Sequence, residues 1–192
     1  MSYEVEYKVY LKPEVINLIE EKKYPMQNIV QCTAKGLVGG LETTTRVRQV
    51  TWGDLRNPTI KYYLTNKIKI ANNPKVIENE TEVSKSVFDN CVASLVNPTW
   101  ITKNRWTMVT NSPTPFDVLW TIDMFQNSHF VAECEGEMAW NITDGRIVMA
   151  PIPTELVPYV GLIAPPGSSL LAQGVFMSEP MTKLLDKVYR NS

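Results

Sequence analysis

Pairs of like charge separated by a single residue recur along the chain: Glu4 and Glu6, Arg46 and Arg48, Lys67 and Lys69, Glu80 and Glu82, Lys103 and Arg105, Glu133 and Glu135. Each pair lies in a stretch that alternates polar with apolar residues, and period 2 is the pattern of a β-strand with two unlike faces. In the first stretch, Tyr3, Val5, Tyr7 and Val9 take one side and Glu4, Glu6, Lys8 and Tyr10 the other. Side chains at i and i+2 sit roughly 6.6 Å apart on one face. Like charges at that spacing repel unless something of opposite sign lies between them. With Lys8 and Asp123 added, the rows hold seven acids and seven bases. An open sheet tolerates one charged face toward water, but such faces usually mix charge with Ser, Thr and Asn. A closed antiparallel barrel with the charges in its lumen and apolar outer faces under helices explains both sides of the pattern. Acids would hold hard divalent cations through oxygen, and bases would hold a polyanion. Metal plus polyphosphate is the ligand pair that needs both.

Between the rows the chain is punctuated as such a fold requires. Pro13 opens a short helix over Glu14–Lys22, with apolar residues at 15, 16, 18 and 19, and Pro25 stops it. Strands are predicted over residues 28–35, Leu41–Thr51, Thr59–Ile70 and Lys75–Val83. Gly36, Gly39 and Gly40 are expected to loosen the chain between the first two of these. Ser84 is placed to cap a helix reaching Leu95, whose apolar residues 87, 88, 91, 92 and 95 have helical spacing. Strands follow over Thr99–Thr110, Phe116–Gln126 and Phe130–Ala139. Asp144-Gly145 marks a hairpin, with Met138–Asn141 and Arg146–Ala150 as its ribbon. Residues 151–168 read as Pro- and Gly-rich loop, and Pro180–Tyr189 as a short helix.

Composition limits the partners. The chain has 192 residues, 44% of them hydrophobic, which suits one domain. Its formal net charge of −1 supplies no global field for a DNA duplex. No apolar run has membrane length, and no export signal is evident. The three cysteines, Cys32, Cys91 and Cys134, lack metal-ligand spacing and read as buried, reduced thiols of a cytoplasmic protein. His129, the only histidine, cannot build a histidine-based metal site. Trp100, Trp106 and Trp120 offer stacking surfaces, though packing is the simpler use of such residues. No glycine-rich phosphate loop of Walker type is present.

Taken in order, the charged rows resemble a known family. Glu4-Val5-Glu6-Tyr7-Lys8 is similar to the ExExK signature of the CYTH superfamily, the triphosphate tunnel metalloenzymes. Thr45-Arg46-Val47-Arg48 resembles its RxR strand, Leu64-Thr65-Asn66-Lys67 its LTxK strand, and Glu80-Thr81-Glu82 the ExE that follows. Lys103-Asn104-Arg105 resembles the KxR, Asp123-Met124-Phe125 the DxF, and Glu133-Cys134-Glu135 the final ExE. These motifs span residues 4–135. From about residue 138 the tail diverges, with Phe176-Met177-Ser178 aligning only loosely.

The resemblance implies a single CYTH-like domain over 1–192. Its fold class would be α+β but mainly β: an eight-stranded antiparallel closed barrel, the triphosphate tunnel, with short flanking helices. It implies Mg²⁺ or Mn²⁺ held by Glu4, Glu6, Glu80, Glu82, Asp123, Glu133 and Glu135. Lys8, Arg46, Arg48, Lys67, Lys69, Lys103 and Arg105 would bind substrate, and Lys8, Asp123 and Glu133 would carry catalysis. The expected activity is hydrolysis of inorganic triphosphate or of a nucleoside or organic triphosphate. An adenylate cyclase of the same fold and a non-catalytic nucleotide-binding protein are the alternatives. The expected partner is a triphosphate-containing small molecule, with no DNA duplex and no membrane; a homodimer is left open. If Glu4, Glu6, Glu133 and Glu135 crowd one wall, Glu6→Gln or Glu135→Gln should raise the metal-free melting temperature by relieving repulsion.

Overall fold

The computed structural model describes residues 2–4, 6–53, 56–69, 76–108, 118–125, 129–136, 139–143 and 146–164. The chain is mainly β, of α+β class, but the expected eight-stranded closed barrel is not formed: among the described residues the antiparallel strands pair in a linear order with two open ends. Among the described residues there are twelve strands, two α-helices and one 3₁₀ turn. They gather into two compact units. One comprises Met1–Glu4 and Met26–Arg105, the other Val5–Pro25 and Trp106–Ser192. The predicted helix at 180–189 and the segment at 176–178 lie outside the described residues.

The first unit is an antiparallel sheet carrying one helix. Its strands are β1 (Ser2–Glu4), β3 (Met26–Val38), β4 (Leu41–Trp52), β5 (Thr59–Lys69), β6 (Val76–Val83) and the part of β7 (Thr99–Thr107) up to Arg105. They lie in the order β1-β6-β5-β4-β3-β7. The expected break near Gly36 does not occur. β3 runs through it and pairs with β4 as far as Val38 opposite Leu41. The reversal is confined to Gly39 and Gly40, both at positive φ (58° and 80°). A two-residue hairpin that matches strand twist needs that conformation, and glycine adopts it without strain.

One face of this sheet is apolar. Cys32, Val47 and Phe88 form its buried centre, with Tyr62, Leu64, Val83, Cys91, Val92 and Leu95 packed around them. The helix over that face, α2 (Lys85–Ser94), starts where Ser84 Oγ accepts the Val87 N–H at 3.3 Å. Helical spacing puts Phe88, Cys91, Val92 and Leu95 on one stripe, so the helix buries that stripe against the strands.

The second unit holds β2 (Glu6–Leu11), α1 (Val15–Lys22), β8 (Leu119–Phe125), β9 (Phe130–Glu135), β10 (Trp140–Thr143), β11 (Arg146–Met149) and β12 (Val160–Ile163). The sheet order is β8-β9-β2-β12. Its core joins Tyr7, Val9 and Leu11 of β2 to Val15, Leu18 and Ile19 of α1, with Trp120, Ile122, Phe130 and Leu156 among them. Tyr7 meets Trp120 edge-on at 5.5 Å between centroids and donates its hydroxyl to the Ala150 carbonyl at 2.5 Å. Trp106 and Trp120 are thus core residues, while Trp100 of β7 is exposed.

The hairpin expected around Asp144-Gly145 is present as the β10–β11 ribbon, which pairs Thr143 with Arg146. Residues 151–168 are not loop throughout. Val160–Ile163 adds a strand to the edge of β2, with a register shift between Val160 and Leu162. A four-residue run containing Gly161 is too short to alternate legibly, and the open edge of β2 is what makes it a strand. No helix among the described residues is long and apolar enough to cross a membrane.

Candidate functional site

In the first unit, the face opposite α2 is polar, and strand register assembles it. Gln31 lies opposite Arg48 and Thr33 opposite Arg46. Arg46 lies opposite Thr65 and Arg48 opposite Tyr63. Lys67 lies opposite Glu78, Thr65 opposite Glu80 and Tyr63 opposite Glu82. Directly opposed residues share a face in an antiparallel pair, so these side chains form one block. The Asn28 amide donates to Asn104 Oδ1 at 3.0 Å. That contact puts the even residues of β7 on the α2 side and Lys103 and Arg105 on the polar side with Gln31 and Thr33.

Ion pairs knit the block. Lys67 Nζ lies 2.8 Å from Glu78, and Arg46 Nη2 lies 3.2 Å from Glu78 and 3.5 Å from Glu80. Arg48 makes a close ion pair with Glu80 and stacks its guanidinium 5.7 Å from the Tyr63 ring centroid. Thr65, fully buried, donates to Glu80 at 2.7 Å. Burial would raise the Glu80 pKa, but Arg48, the Thr65 hydrogen bond and Arg46 together hold it below the usual carboxylate value. Burial and then the like charge of Arg46 press Arg48 below its ordinary value, with Glu80 opposing and Arg105 adding to the pressure.

The sequence placed this strand's acidic pair at Glu80 and Glu82. The structure brings Glu78 and Glu80 to the bases and leaves Glu82 at the edge, 2.8 Å from Lys61 with half its side chain exposed. Lys69 is also peripheral, 4.0 Å from Glu42. Glu78 and Thr65 were missing from the expected site. The signal for Glu78 was available: Glu78-Asn79-Glu80-Thr81-Glu82 holds three acids in one phase, and only pairing to Lys67 and Thr65 selects two. Glu4 pairs with Val76 on β6.

In the second unit, Glu6 lies opposite Glu135 and Lys8 opposite Glu133 on β2 and β9. Thr121 lies opposite Glu133 and Asp123 opposite Val131 on β8 and β9. Glu6 and Glu135 are like charges in directly opposed positions, which destabilises a pair by itself. Lys8 answers it from the same strand. Its Nζ sits 2.8 Å from Glu6 and 2.8 Å from Glu133. Burial alone would lower the Lys8 pKa; Glu133 and then Glu6 outweigh burial and hold it above the ordinary lysine value. This changes the sign expected for Glu6→Gln, because the carboxylate is engaged by an ammonium rather than left to repel its neighbours. Asp123 is fully buried on the same face. On the other face, Cys134 is pushed up to about 12 by burial and then by Glu135, which makes it an inert thiol. Among the described residues, no three His, Cys, Asp or Glu side chains already gather as a set of metal ligands.

Comparison with known proteins adds a fold likeness. No protein-family model matches the chain, and no curated protein does. Among solved structures, the PH1819 protein of Pyrococcus horikoshii OT3 is similar at a TM-score of 0.50 and 14% identity, over 97% of this chain and 88% of that one. The PH1012 protein of the same organism aligns at a TM-score of 0.47 and 20% identity, over 73% and 79%. At such identities the first supports the fold alone.

Proposed function

We propose that this chain is a divalent-metal-dependent triphosphatase, binding a triphosphate against the charged faces of its strands and hydrolysing a phosphoanhydride bond. One observation carries the reading. On the polar face of the first unit, Arg46, Arg48 and Lys67 meet Glu78 and Glu80, with Lys103, 7% exposed, and Arg105 on the same side. Concentrating positive charge away from water is unfavourable and is relieved by an incoming polyanion. Arg46 and Arg48 suit bidentate contact with phosphoryl oxygens, and Lys67 and Lys103 act as point charges.

The donor chemistry fits Mg²⁺ or Mn²⁺. Glu6, Asp123, Glu133 and Glu135 offer hard oxygens on one face of the second unit, with Glu6 and Glu133 already engaged by the Lys8 ammonium. Those four would hold the ion. Glu78 and Glu80 instead hold the phosphate-binding bases in place. Bound there, a divalent ion supplies polarisation of phosphoryl oxygen and a more acidic water.

The test is phosphate release from tripolyphosphate, ATP, GTP and thiamine triphosphate with Mg²⁺ or Mn²⁺. Release from at least one is expected, reduced more than tenfold by Arg48→Ala. No release from any substrate overturns the hydrolase reading. Cyclic AMP from ATP would make the chain a cyclase, and calorimetric binding without turnover would make it a binding protein.

A further inference from the structure

Among the described residues of the first unit, five buried polar atoms have no hydrogen-bond partner; Glu78 Oε2 is ion-paired with Lys67 at 2.8 Å, and the other four are Gln31 Oε1, Thr33 Oγ1, Arg46 Nε and Arg48 Nε. Gln31 and Thr33 are 6% and 7% exposed. The four belong to a two-by-two block, because Gln31 opposes Arg48 and Thr33 opposes Arg46 across β3 and β4. Directly opposed residues on neighbouring strands stand about 5 Å apart. A lone buried unsatisfied atom is itself destabilising. Four in one block on the charged face point to a ligand that completes them.

The chemistry of the missing partner follows from the atoms. Each Arg Nε–H donates and calls for an oxyanion. Gln31 Oε1 only accepts and calls for an O–H or N–H donor. Thr33 serves either way. A bare oxyanion would be repelled by Gln31 Oε1, so the occupant is a phosphoryl group together with a water that bridges it to the amide oxygen. We propose that Gln31 and Thr33, on a strand that carries none of the charged rows, contact the triphosphate directly: Thr33 through a phosphoryl oxygen and Gln31 through that water. This rests on the triphosphate reading above and adds two neutral recognition residues to it.

The experiment uses the full-length protein, tripolyphosphate as probe, and Thr33→Val and Gln31→Met, which keep shape while removing the polar atoms. Affinity is read by calorimetry in Ca²⁺, and melting temperature is read without ligand. The expected result is a split. Each variant binds tripolyphosphate about fivefold to tenfold more weakly, while the ligand-free melting temperature stays level or rises, because an unsatisfied buried group is gone. Unchanged affinity in both variants, or lowered ligand-free stability in both, overturns the proposal and assigns the atoms to structural water. Those results leave the triphosphate reading intact if the wild type binds. Absence of tripolyphosphate binding by the wild type overturns both.

Discussion

Lys8 is the residue on which the second unit's acids depend. It is almost wholly buried and bonds two carboxylates from different strands. Removing one member of a buried pair strands the other, a loss of about 3–5 kcal/mol. Lys8→Met should therefore destabilise the ligand-free protein by about 3 kcal/mol in urea unfolding, enough to lower the melting temperature by several degrees. The pH range is set by the direction of the shift. A lysine whose pKa is raised in the folded state stabilises fully below its unfolded value, about 10.4, and loses that contribution as pH rises through the folded value. The gap between wild type and Lys8→Met should thus be flat from about pH 6 to pH 9. Glu6→Gln should lower stability rather than raise it, since Lys8 then keeps one charged partner instead of two. A metal-free melting temperature above wild type for Glu6→Gln would contradict the ion pair.

Glu80 gives the opposite dependence. Its pKa is depressed on folding, because Arg48, the hydroxyl of Thr65 and Arg46 outweigh its burial. Its contribution is present above the unfolded carboxylate value, about 4.3, and is lost as pH falls through the folded value. Stability measured from pH 7 down to about pH 2 should fall less steeply in Glu80→Gln than in wild type. A parallel acid limb in the two proteins would show that Glu80 is not held by its bases in solution.

At the scale of elements, the two helices are secured differently. α2 has a side-chain cap in Ser84 and a buried anchor in Phe88. Ser84→Ala removes the acceptor for the Val87 N–H and should cost about 1 kcal/mol, read as a shift in denaturant midpoint without change in slope. α1 has no side-chain cap at Glu14. It ends at Lys23, which takes the left-handed conformation at φ 53° and returns its N–H to the Ile19 carbonyl. Packing of Val15, Leu18 and Ile19 against β2 holds this helix, as expected for one of eight residues, too short to persist alone. Among the strands, β4 and β5 carry the most of the proposed site, since long antiparallel pairing to β3 and β6 sets their side chains in register over many residues. A one-residue slip would send Arg46 and Arg48 to the α2 face and Val47 to the charged one. The apolar contact of Val47 with Cys32 and Phe88 therefore fixes where Arg46 and Arg48 point.

For the whole molecule, the proposed function predicts linkage between ligand and stability. A ligand that binds only the folded state stabilises it by about 2.7 kcal/mol at a hundredfold excess over its dissociation constant. Tripolyphosphate with Mg²⁺ or Mn²⁺ should raise the melting temperature, and each should raise it further in the presence of the other, because anion and cation neutralise each other's charge. Differential scanning fluorimetry over a matrix of the two would check this. Purely additive shifts would mean that the anion and the metal do not meet.

The sequence by itself determined the faces of this protein. Alternation within a strand is local, so the phase that puts Arg46 with Arg48 and Val47 on the other side can be read from the sequence alone. The same holds for Glu6 with Lys8, for Glu133 with Glu135, and for the stripe of α2 beginning at its Ser84 cap. Tertiary structure decided which row faces which. Register between strands is a non-local quantity, set by turns and by packing on the opposite face. It selected Glu78 and Glu80 over Glu82, left Lys69 at the edge, and brought Gln31 and Thr33 beside the arginines. It also put the Lys8 ammonium between Glu6 and Glu133, turning an expected repulsion into an ion pair, and recruited Val160–Ile163 as a strand because the edge of β2 lay open to it. Neither the partner of a side chain on another strand nor the openness of an edge is a property of any short stretch of sequence.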